Sequence, residues 1–535
     1  MVPDTPPASD PSARSNASRT DASASVSNVV LVTIDSLRAD ALGPYDDDRH
    51  SPVIDGLAAD GTVFEGAFAT GNWTPFSFPS ILASEPVFAR NGDIGVDGAR
   101  TLASVLSAAG VATGGFNAAN GFLTSHWGYP DGFDAFEPFM TNVGSSRYSR
   151  YLAAHPTVEA WIQLLTSPAR RLGAKLRGGT DERPFLDASR MFDVEDAATA
   201  FIDETEGPFF LWTHYMDTHT PYVPSPRYIR EVSDGLVGTH RMLHAHTRTS
   251  LGLEVGERTL RDLRTLYQAA VRQVDASVGR VLDALEAAGV ADETAIVVAG
   301  DHGEEFQEHG HLAHYPKLYD ELIHVPFIVN VPGEDGGRVA EHVGLDAIPP
   351  TIADLLGVES PSEWRGESAA PAVRGEADVT GEADVTGEAD VTGEADVTGE
   401  AGGESARDPV VSVSVRGEEI TQQPIPRSID DGDLLVSVRD ATWTYIENTD
   451  TGATELYHRP SDPTQQDDRS DDSTAEERAV IDRFAPIAAE HAAALHERAA
   501  ERADAESGDS EGDKAGDADE VGEDLEARLE ALGYR

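Results

Sequence analysis

The sequence predicts a doubly wound, mainly parallel α/β sheet followed by a small α+β subdomain, and two observations carry most of that prediction. The apolar runs Val29-Val30-Leu31-Val32-Thr33-Ile34 and Thr294-Ala295-Ile296-Val297-Val298-Ala299-Gly300 are continuous rather than alternating, which suits parallel strands buried on both faces. Each run stops on a carboxylate, Asp35-Ser36 in the first and Asp301-His302-Gly303-Glu304 in the second. Ligands of such sheets bind beyond the carboxyl ends of the strands, so function is sought around Asp35, Asp301 and His302.

The remaining elements follow in chain order. Ordered structure is expected from Asn28, after a Ser/Ala/Pro/Asp-rich disordered leader over 1–27. Leu102 to Gly110 reads as a helix and Val111 to Phe116 as a short strand. Ala197 to Thr205 is a second helix, and Pro208 to Thr213 a strand that delivers His214, Asp217 and His219. From Glu257 to Gly289 apolar residues recur at helical spacing, and this helix feeds the Asp301 strand as an αβ unit. Val325 to Val331 is a further strand, and Asp346 to Leu356 a helix entered through Pro349-Pro350. The alternation argues for one doubly wound domain over 28–360. Residues 361–408 read as an acidic linker, inside which Gly-Glu-Ala-Asp-Val-Thr repeats four times over 375–398 with little to bury. Val410 to Val415, Asp433 to Val438, Ala441 to Glu447 and the Ala/Glu/Arg-rich helix Ala475 to Arg502 form the α+β subdomain over 409–502. An acidic tail with a short terminal helix closes the chain over 503–535.

Composition excludes several classes. The 535 residues carry 95 Asp and Glu against 40 Lys and Arg, a net charge of −55, which disfavours nucleic acid as a partner. Lys175, Lys317 and Lys514 are the only lysines. An acidic chain nearly without lysine resembles the proteins of salt-loving archaea, in which salt screens the repulsion between surface carboxylates. There is no cysteine, so thiolate nucleophiles and zinc–thiolate sites are closed. No basic, apolar signal segment opens the sequence and no apolar run is long enough to span a membrane, so the expectation is a soluble cytoplasmic protein.

Asp35 and Asp301 offer hard oxygen ligands and His302 a nitrogen, a set suited to one divalent ion, Ca²⁺, Mg²⁺, Mn²⁺ or Zn²⁺. An adjacent Asp-His pair alone is a weak signal. The whole run from Gly300-Asp301-His302-Gly303-Glu304 through Glu308-His309-Gly310-His311 to His314, followed by Val325-Pro326, is more specific. Together with Asp35-Ser-Leu-Arg38-Ala-Asp40, His219-Thr-Pro-Tyr222 and Asp346-Ala-Ile-Pro-Pro-Thr351, it resembles the sulfatase-like branch of the alkaline phosphatase superfamily across most of residues 28–357.

That resemblance implies an alkaline phosphatase-like sheet and a metal-dependent hydrolase of sulfate or phosphate esters, acting on a small molecule or a glycan. It also implies a nucleophile in a Cys/Ser/Thr-x-Pro-Ser-Arg-type segment, for which two registers compete here. Matching Ile81-Leu-Ala-Ser84 to the segment's ending selects Thr74, whereas matching Pro79-Ser80 selects Ser77. Thr74 is preferred, because threonine serves the relatives that handle phosphate groups. Phe76 and Phe78 replace the family's proline and arginine, the second removing a charge that supports the nucleophile in sulfatases. By the same resemblance Asp35, Asp301, His302 and Thr74 surround the metal, His219 contacts the oxyanion, and His314 binds the group or protonates the leaving oxygen. His309 and His311 have less defined places. His214 is expected in the core or just behind the site, Asp217 in a turn, and Asp275 in a structural role. A phosphoglycerol or phosphoethanolamine transferase and a non-catalytic family member are the alternatives. The transferases usually carry membrane spans, and the intact Asp35, Asp301 and His302 argue against lost catalysis.

Overall fold

The computed structural model describes residues 26–376, 408–416 and 426–508, apart from 91, 141–188, most of 234–253, 315 and 472. The leader up to residue 25, the repeat beyond residue 376 and the tail beyond 508 lie outside the described residues, as does nearly all of the loop at 142–190.

Ten strands belong to the first domain: β1 (Asn28–Ile34), β2 (Thr62–Phe68), β3 (Ala112–Asn117), β4 (Ala135–Glu137), β5 (Phe209–Tyr215), β6 (Thr294–Gly300), β7 (Glu305–Phe306), β8 (Leu312–Ala313), β9 (Phe327–Asn330) and β10 (Gly337–Gly344). Eight of them form one sheet in the order β10-β2-β9-β6-β1-β5-β3-β4, while β7 and β8 pair as a separate small hairpin. All strands of the large sheet are parallel except β9, which runs against both β6 and β2. The expected strand at Val325 to Val331 is therefore present but shorter and reversed. β10 carries no apolar run because it is an edge strand whose first half is exposed.

β1, β5 and β6 are buried at every position. Their alternate side chains enter two cores. Val30, Val32 and Ile34 face the helices Met191–Glu204, Pro226–Val232 and Glu257–Ala288. Val29 and Leu31 face the helices Thr74–Ala83, Leu102–Ala108 and Ile348–Leu355. Layers of helix on both faces of a mainly parallel sheet are the doubly wound arrangement that the continuous apolar runs predict. Residues 361–376, expected as the first part of an acidic linker, are instead packed on the doubly wound domain. Trp364, Ala369, Ala370 and Val373 are buried in the second core, with a short helix at Ala370–Val373, because their apolar side chains continue the cover over that face.

The C-terminal part is an antiparallel sheet of β11 (Val410–Arg416), β12 (Asp433–Arg439), β13 (Trp443–Asn448) and β14 (Ala453–His458), covered by the helix Ala475–Gly508. Val480, Phe484, Ala488 and Leu495 of that helix pack on Val413, Val436, Val438 and Tyr445. The same core includes Trp73, Phe76, Val87 and Phe88 of the first domain, so the subdomain rests on the segment around Thr74. Backbone contacts reinforce this, with Val413 N–H donating to Thr70 O at 2.9 Å and Ser412 Oγ to Ala69 O at 2.7 Å. Among the described residues no helix is long and apolar enough to cross a membrane.

Candidate metal centre and nucleophile

The sheet register assembles the first half of the site. Ile34 pairs with Gly300 on one side and Tyr215 on the other, so Asp35 and Asp301 leave the carboxyl edge as immediate neighbours. Asp301 Oδ1 accepts the backbone N–H of Ser36 at 3.0 Å and of His302 at 2.8 Å. These bonds turn its Oδ2 inward, where it is buried with no hydrogen-bond partner. The His302 ring donates from Nδ1 to Gly303 O at 2.9 Å, which leaves Nε2 facing the carboxylates. Gly303 is required by close approach: a Cβ there would strike the Glu321 carbonyl, against which the chain lies.

One ligand atom from each of Asp35, Asp301 and His302 lies within 4.8 Å of the others, and all three side chains are buried. Thr74 joins them from the first turn of the Thr74–Ala83 helix, where Pro75 suits a position that needs no N–H partner. Its Oγ1 is 3.1 Å from Asp35 Oδ2 and 3.5 Å from His302 Nε2. Ser77, one turn on, donates instead to Gly71 O at 2.8 Å, behind the helix. Geometry thus brings Thr74, and not Ser77, to the carboxylates.

The electrostatics of the cluster call for a cation. Burial and the neighbouring Asp35 charge push the Asp301 carboxyl up to about 8. Burial opposes ionisation of Asp35 too, yet the His214, His219 and His302 rings around it outweigh burial and hold Asp35 well below the usual carboxylate range. Burial pushes His302 down. Two carboxylates this close and this dry do not both ionise unaided, whereas a bound divalent ion would ionise both and occupy the unpartnered Asp301 Oδ2. The residues present therefore fit a metal.

The second half of the site stands on loops. The rings of His219 and His314 are 4.9 Å apart, and His314 is 5.0 Å from His302. His314 is fixed from two sides, its carbonyl accepting the Trp73 indole N–H and its Nδ1 lying 3.4 Å from Glu304 Oε2. Burial, with His219 and His302 nearby, holds its ring well below the usual imidazole range.

His214 lies in the core and directly behind the site. Its Nδ1 meets Thr33 Oγ1 at 3.0 Å and its Nε2 lies 3.6 Å from Asp35 Oδ2. Phe78, the residue at the family's arginine position, sets its ring edge against His214 at 5.0 Å, and Phe76 packs on Trp73 and Phe88 below the subdomain. Both rings are spent on packing. Asp217 accepts from Gln273 in a turn. His309 sits in the turn between β7 and β8, stacked on Tyr319 and joined to Glu321 and to Gln465 O of the C-terminal part; His311 donates its N–H to Glu305. Among the described residues the close group of ligand atoms is Asp35, Asp301 and His302, without either of these histidines. Asp275 accepts the N–H groups of Val53 and Ile54 at 3.0 and 2.9 Å and so caps the helix Pro52–Ala59 from a distance in sequence.

Two residues escaped the sequence reading. Asn120 Nδ2 lies 3.2 Å from Asp35 Oδ2 and 3.5 Å from Thr74 Oγ1. It follows the end of β3, so the rule that polar residues beyond parallel strands form sites would have found it. Glu304, completely buried, gave no signal except its place beside Asp301-His302.

The chain is similar to known proteins in sequence and in fold. The chain is 26% identical over 405 residues to iduronate 2-sulfatase of Homo sapiens, a match covering 62% of this chain and 70% of that one. It is 31% identical over 137 residues to a Delta 4,5-hexuronate-2-O-sulfatase of Bacteroides thetaiotaomicron, and 27% over 227 residues to the multifunctional alkaline phosphatase superfamily protein PehA of Trinickia caryophylli. The first of these two matches covers 25% of this chain and 28% of the relative, the second 36% and 43%. Among solved structures, the phosphonate monoester hydrolase of Agrobacterium radiobacter superposes with a TM-score of 0.60 at 20% identity, covering 88% of this chain and 96% of that one. BT4656, solved with D-glucosamine-2-N,6-O-disulfate, gives a TM-score of 0.60 at 17% identity, with 88% and 98% covered. These two likenesses establish the fold. The sulfatase family model matches residues 27–358, from the start of β1 to just past the helix Ile348–Leu355, and the chain belongs to the sulfatase family.

Proposed function

We propose that this protein is a metal-dependent hydrolase of sulfate or phosphate esters, with Thr74 as its nucleophile and a sulfated or phosphorylated glycan as its substrate class. The observation that carries the reading is the placement of Thr74 Oγ1 at 3.1 Å from Asp35 and 3.5 Å from His302, beside Asp301. Asp35, Asp301 and His302 would hold the ion, and Ca²⁺, Mg²⁺, Mn²⁺ and Zn²⁺ all suit a site of two carboxylates and an imidazole. Such an ion lowers the pKa of a neighbouring hydroxyl and offsets charge on the group being transferred. Thr74 Oγ1 releases its proton to solvent and attacks sulfur or phosphorus while the bond to the leaving oxygen breaks with its electron pair on that oxygen; water then attacks the Thr74 ester, releases sulfate or phosphate and returns the threonine hydroxyl. His219 and His314 face the incoming group, where they bind its oxygens and supply the leaving oxygen with a proton. The two carbohydrate sulfatases among the relatives support a glycan ester, and the phosphonate monoester hydrolase fold supports phosphorus chemistry on the same frame.

The test is a panel of aryl sulfate, phosphate monoester and phosphodiester substrates, each with and without added Mg²⁺, Mn²⁺, Ca²⁺ or Zn²⁺. Turnover of at least one ester that chelator abolishes and one of these ions restores is expected; metal-independent turnover, or none, sinks the reading. Because the acidity is read as an adaptation to salt, activity and the melting midpoint should both be higher in ~3 M than in ~0.1 M KCl, salt of ~1 M already shortening the Debye length to about 3 Å. Equal midpoints would leave the charge of −55 without that explanation.

A further inference from the structure

The mechanism above uses the histidines of the loop side and leaves unexplained the carboxylate buried between them. Glu304 is completely buried, and its two oxygens serve different loops. Oε1 accepts the hydroxyl of Tyr222, three residues after His219 in the same loop, and Oε2 lies 3.4 Å from His314 Nδ1. Its backbone is itself pinned: Glu304 N–H donates to Glu321 O at 2.9 Å, and Arg38 Nη1 donates to Glu304 O at 3.0 Å. Arg38 is anchored in turn by Asp40 and Glu308. Burying a carboxyl group is costly unless it is well partnered, and nothing in the packing of the doubly wound core demands one here.

We propose that Glu304 is the positioning residue of the leaving-group side of the site: by holding Tyr222 with one oxygen and His314 with the other, it sets the spacing of His219 and His314 and turns the Nε2 of His314 toward the reacting group. The inference rests on the ester-hydrolase reading and deepens it. His314 has two ring nitrogens, and engagement of Nδ1 by a fixed carboxylate leaves Nε2 as the atom that meets substrate, the way an orienting acid sets a catalytic imidazole. The ring, neutral before the ester arrives, takes up a proton from water as the anionic ester settles beside it, so that Nδ1–H faces Glu304 and Nε2–H the leaving oxygen; when the bond from sulfur or phosphorus to that oxygen breaks, the electron pair stays on the oxygen and the neutralising proton comes from His314 Nε2. A group that acts through His314 in this manner matters most where the leaving oxygen is basic and least where it departs readily as a nitrophenolate.

The experiment compares wild type, Glu304→Ala, Glu304→Gln and Tyr222→Phe on two esters with the same transferred group, a 4-nitrophenyl ester and an alkyl ester, with Mn²⁺ binding titrated in parallel. In Glu304→Ala the alkyl ester should lose roughly 10²-fold in kcat, the nitrophenyl ester less than about tenfold, general acid–base assistance being worth 10²–10⁴-fold in all. KM and Mn²⁺ affinity should stay close to wild type. Glu304→Gln, which still offers an oxygen to Nδ1, should restore much of the alkyl-ester rate. Tyr222→Phe, which keeps the ring and frees only one oxygen of Glu304, should show the same selectivity at smaller size, and serves if Glu304→Ala does not fold. Equal losses on both esters, loss of Mn²⁺ affinity in step with activity, or unchanged rates would each overturn the role of Glu304 while leaving the hydrolase reading in place. A wild type inactive on both esters would instead remove the reading beneath it, and this inference with it.

Discussion

The site has two sides built in different ways. Asp35, Asp301 and His302 stand at the ends of adjacent strands buried on both faces, where register alone makes them neighbours. His219, Glu304 and His314 stand on loops, and contacts from far along the chain fix two of them: the Trp73 indole on the His314 carbonyl and Arg38 on the Glu304 backbone. A strand end needs little support because the hydrogen-bond ladder beneath it is rigid. A loop must borrow rigidity, and here Trp73 lends it, packed in the core that the first domain shares with the C-terminal sheet. The two sides should therefore fail differently when perturbed.

The largest effects are expected on the strand side. Asp301→Ala and Asp35→Ala each remove a ligand from a three-residue cluster, so titration with Mn²⁺ should show no binding of wild-type strength and kcat should fall by roughly 10³-fold or more, the scale of losing several kcal/mol of charge stabilisation. Thr74→Ala should lose activity at least as completely while still binding Mn²⁺ through the other residues. Ser77→Ala, by contrast, gives up one hydrogen bond to Gly71, so it should keep nearly full activity and lose about 1 kcal/mol of stability. If Ser77→Ala is the inactive variant and Thr74→Ala is not, the choice between the two registers has been made wrongly.

This contrast also explains what was legible beforehand. The doubly wound sheet, Asp35, Asp301 and His302 could be read because continuous apolar runs ending on polar residues are local signals. β10 could not, since an exposed edge strand needs no apolar run. The reversed direction of β9 could not either, because direction is decided by the connection and not by composition. Asn120 lay within reach of the strand-end rule, but the loop partnership of Glu304 with Tyr222 spans 82 residues and has no spacing to betray it. Phe76 and Phe78 read as losses from a motif, and only three dimensions show them as packing against the C-terminal core and His214.

A smaller effect should separate the two sides through stability. Arg439, wholly buried in β12, donates to Asp320 Oδ1 at 2.9 Å and to Leu318 O at 2.6 Å, and its guanidinium lies over Phe68. It thereby ties the C-terminal sheet to the segment that follows His314. Breaking a buried pair by removing one partner typically costs 3–5 kcal/mol, but Asp320 retains Arg459 at 3.0 Å, so Arg439→Ala is expected near about 3 kcal/mol in a denaturant titration. In the folded fraction Mn²⁺ affinity should hold while turnover of alkyl esters falls. A variant that loses metal and turnover together would show that the strand side leans on the subdomain as well, and the distinction between the two sides would collapse.

An effect on stability alone, with none on turnover, is expected far from the chemistry, at Asp275 beneath the helix Pro52–Ala59. This carboxyl caps the helix Pro52–Ala59 and pairs with Arg272 at 3.1 Å, yet burial pushes it up to about 6 from an ordinary value of 3.8. Burial thus outweighs the cap and the arginine, and the folded state binds the proton more tightly than the unfolded chain. A carboxyl group raised in this way gives its stabilisation in full below about pH 4 and loses it as pH climbs through about 6. Asp275→Asn keeps an acceptor for Val53 and Ile54 but has no proton to exchange, so its melting midpoint relative to wild type should rise between pH 4.5 and pH 7.5. The rise is bounded by a few kcal/mol, since a shift of one unit corresponds to about 1.4 kcal/mol. A difference between the two proteins that stays flat across that window would mean that Asp275 ionises as readily folded as unfolded, and that the cap and Arg272 together offset the whole cost of burying it.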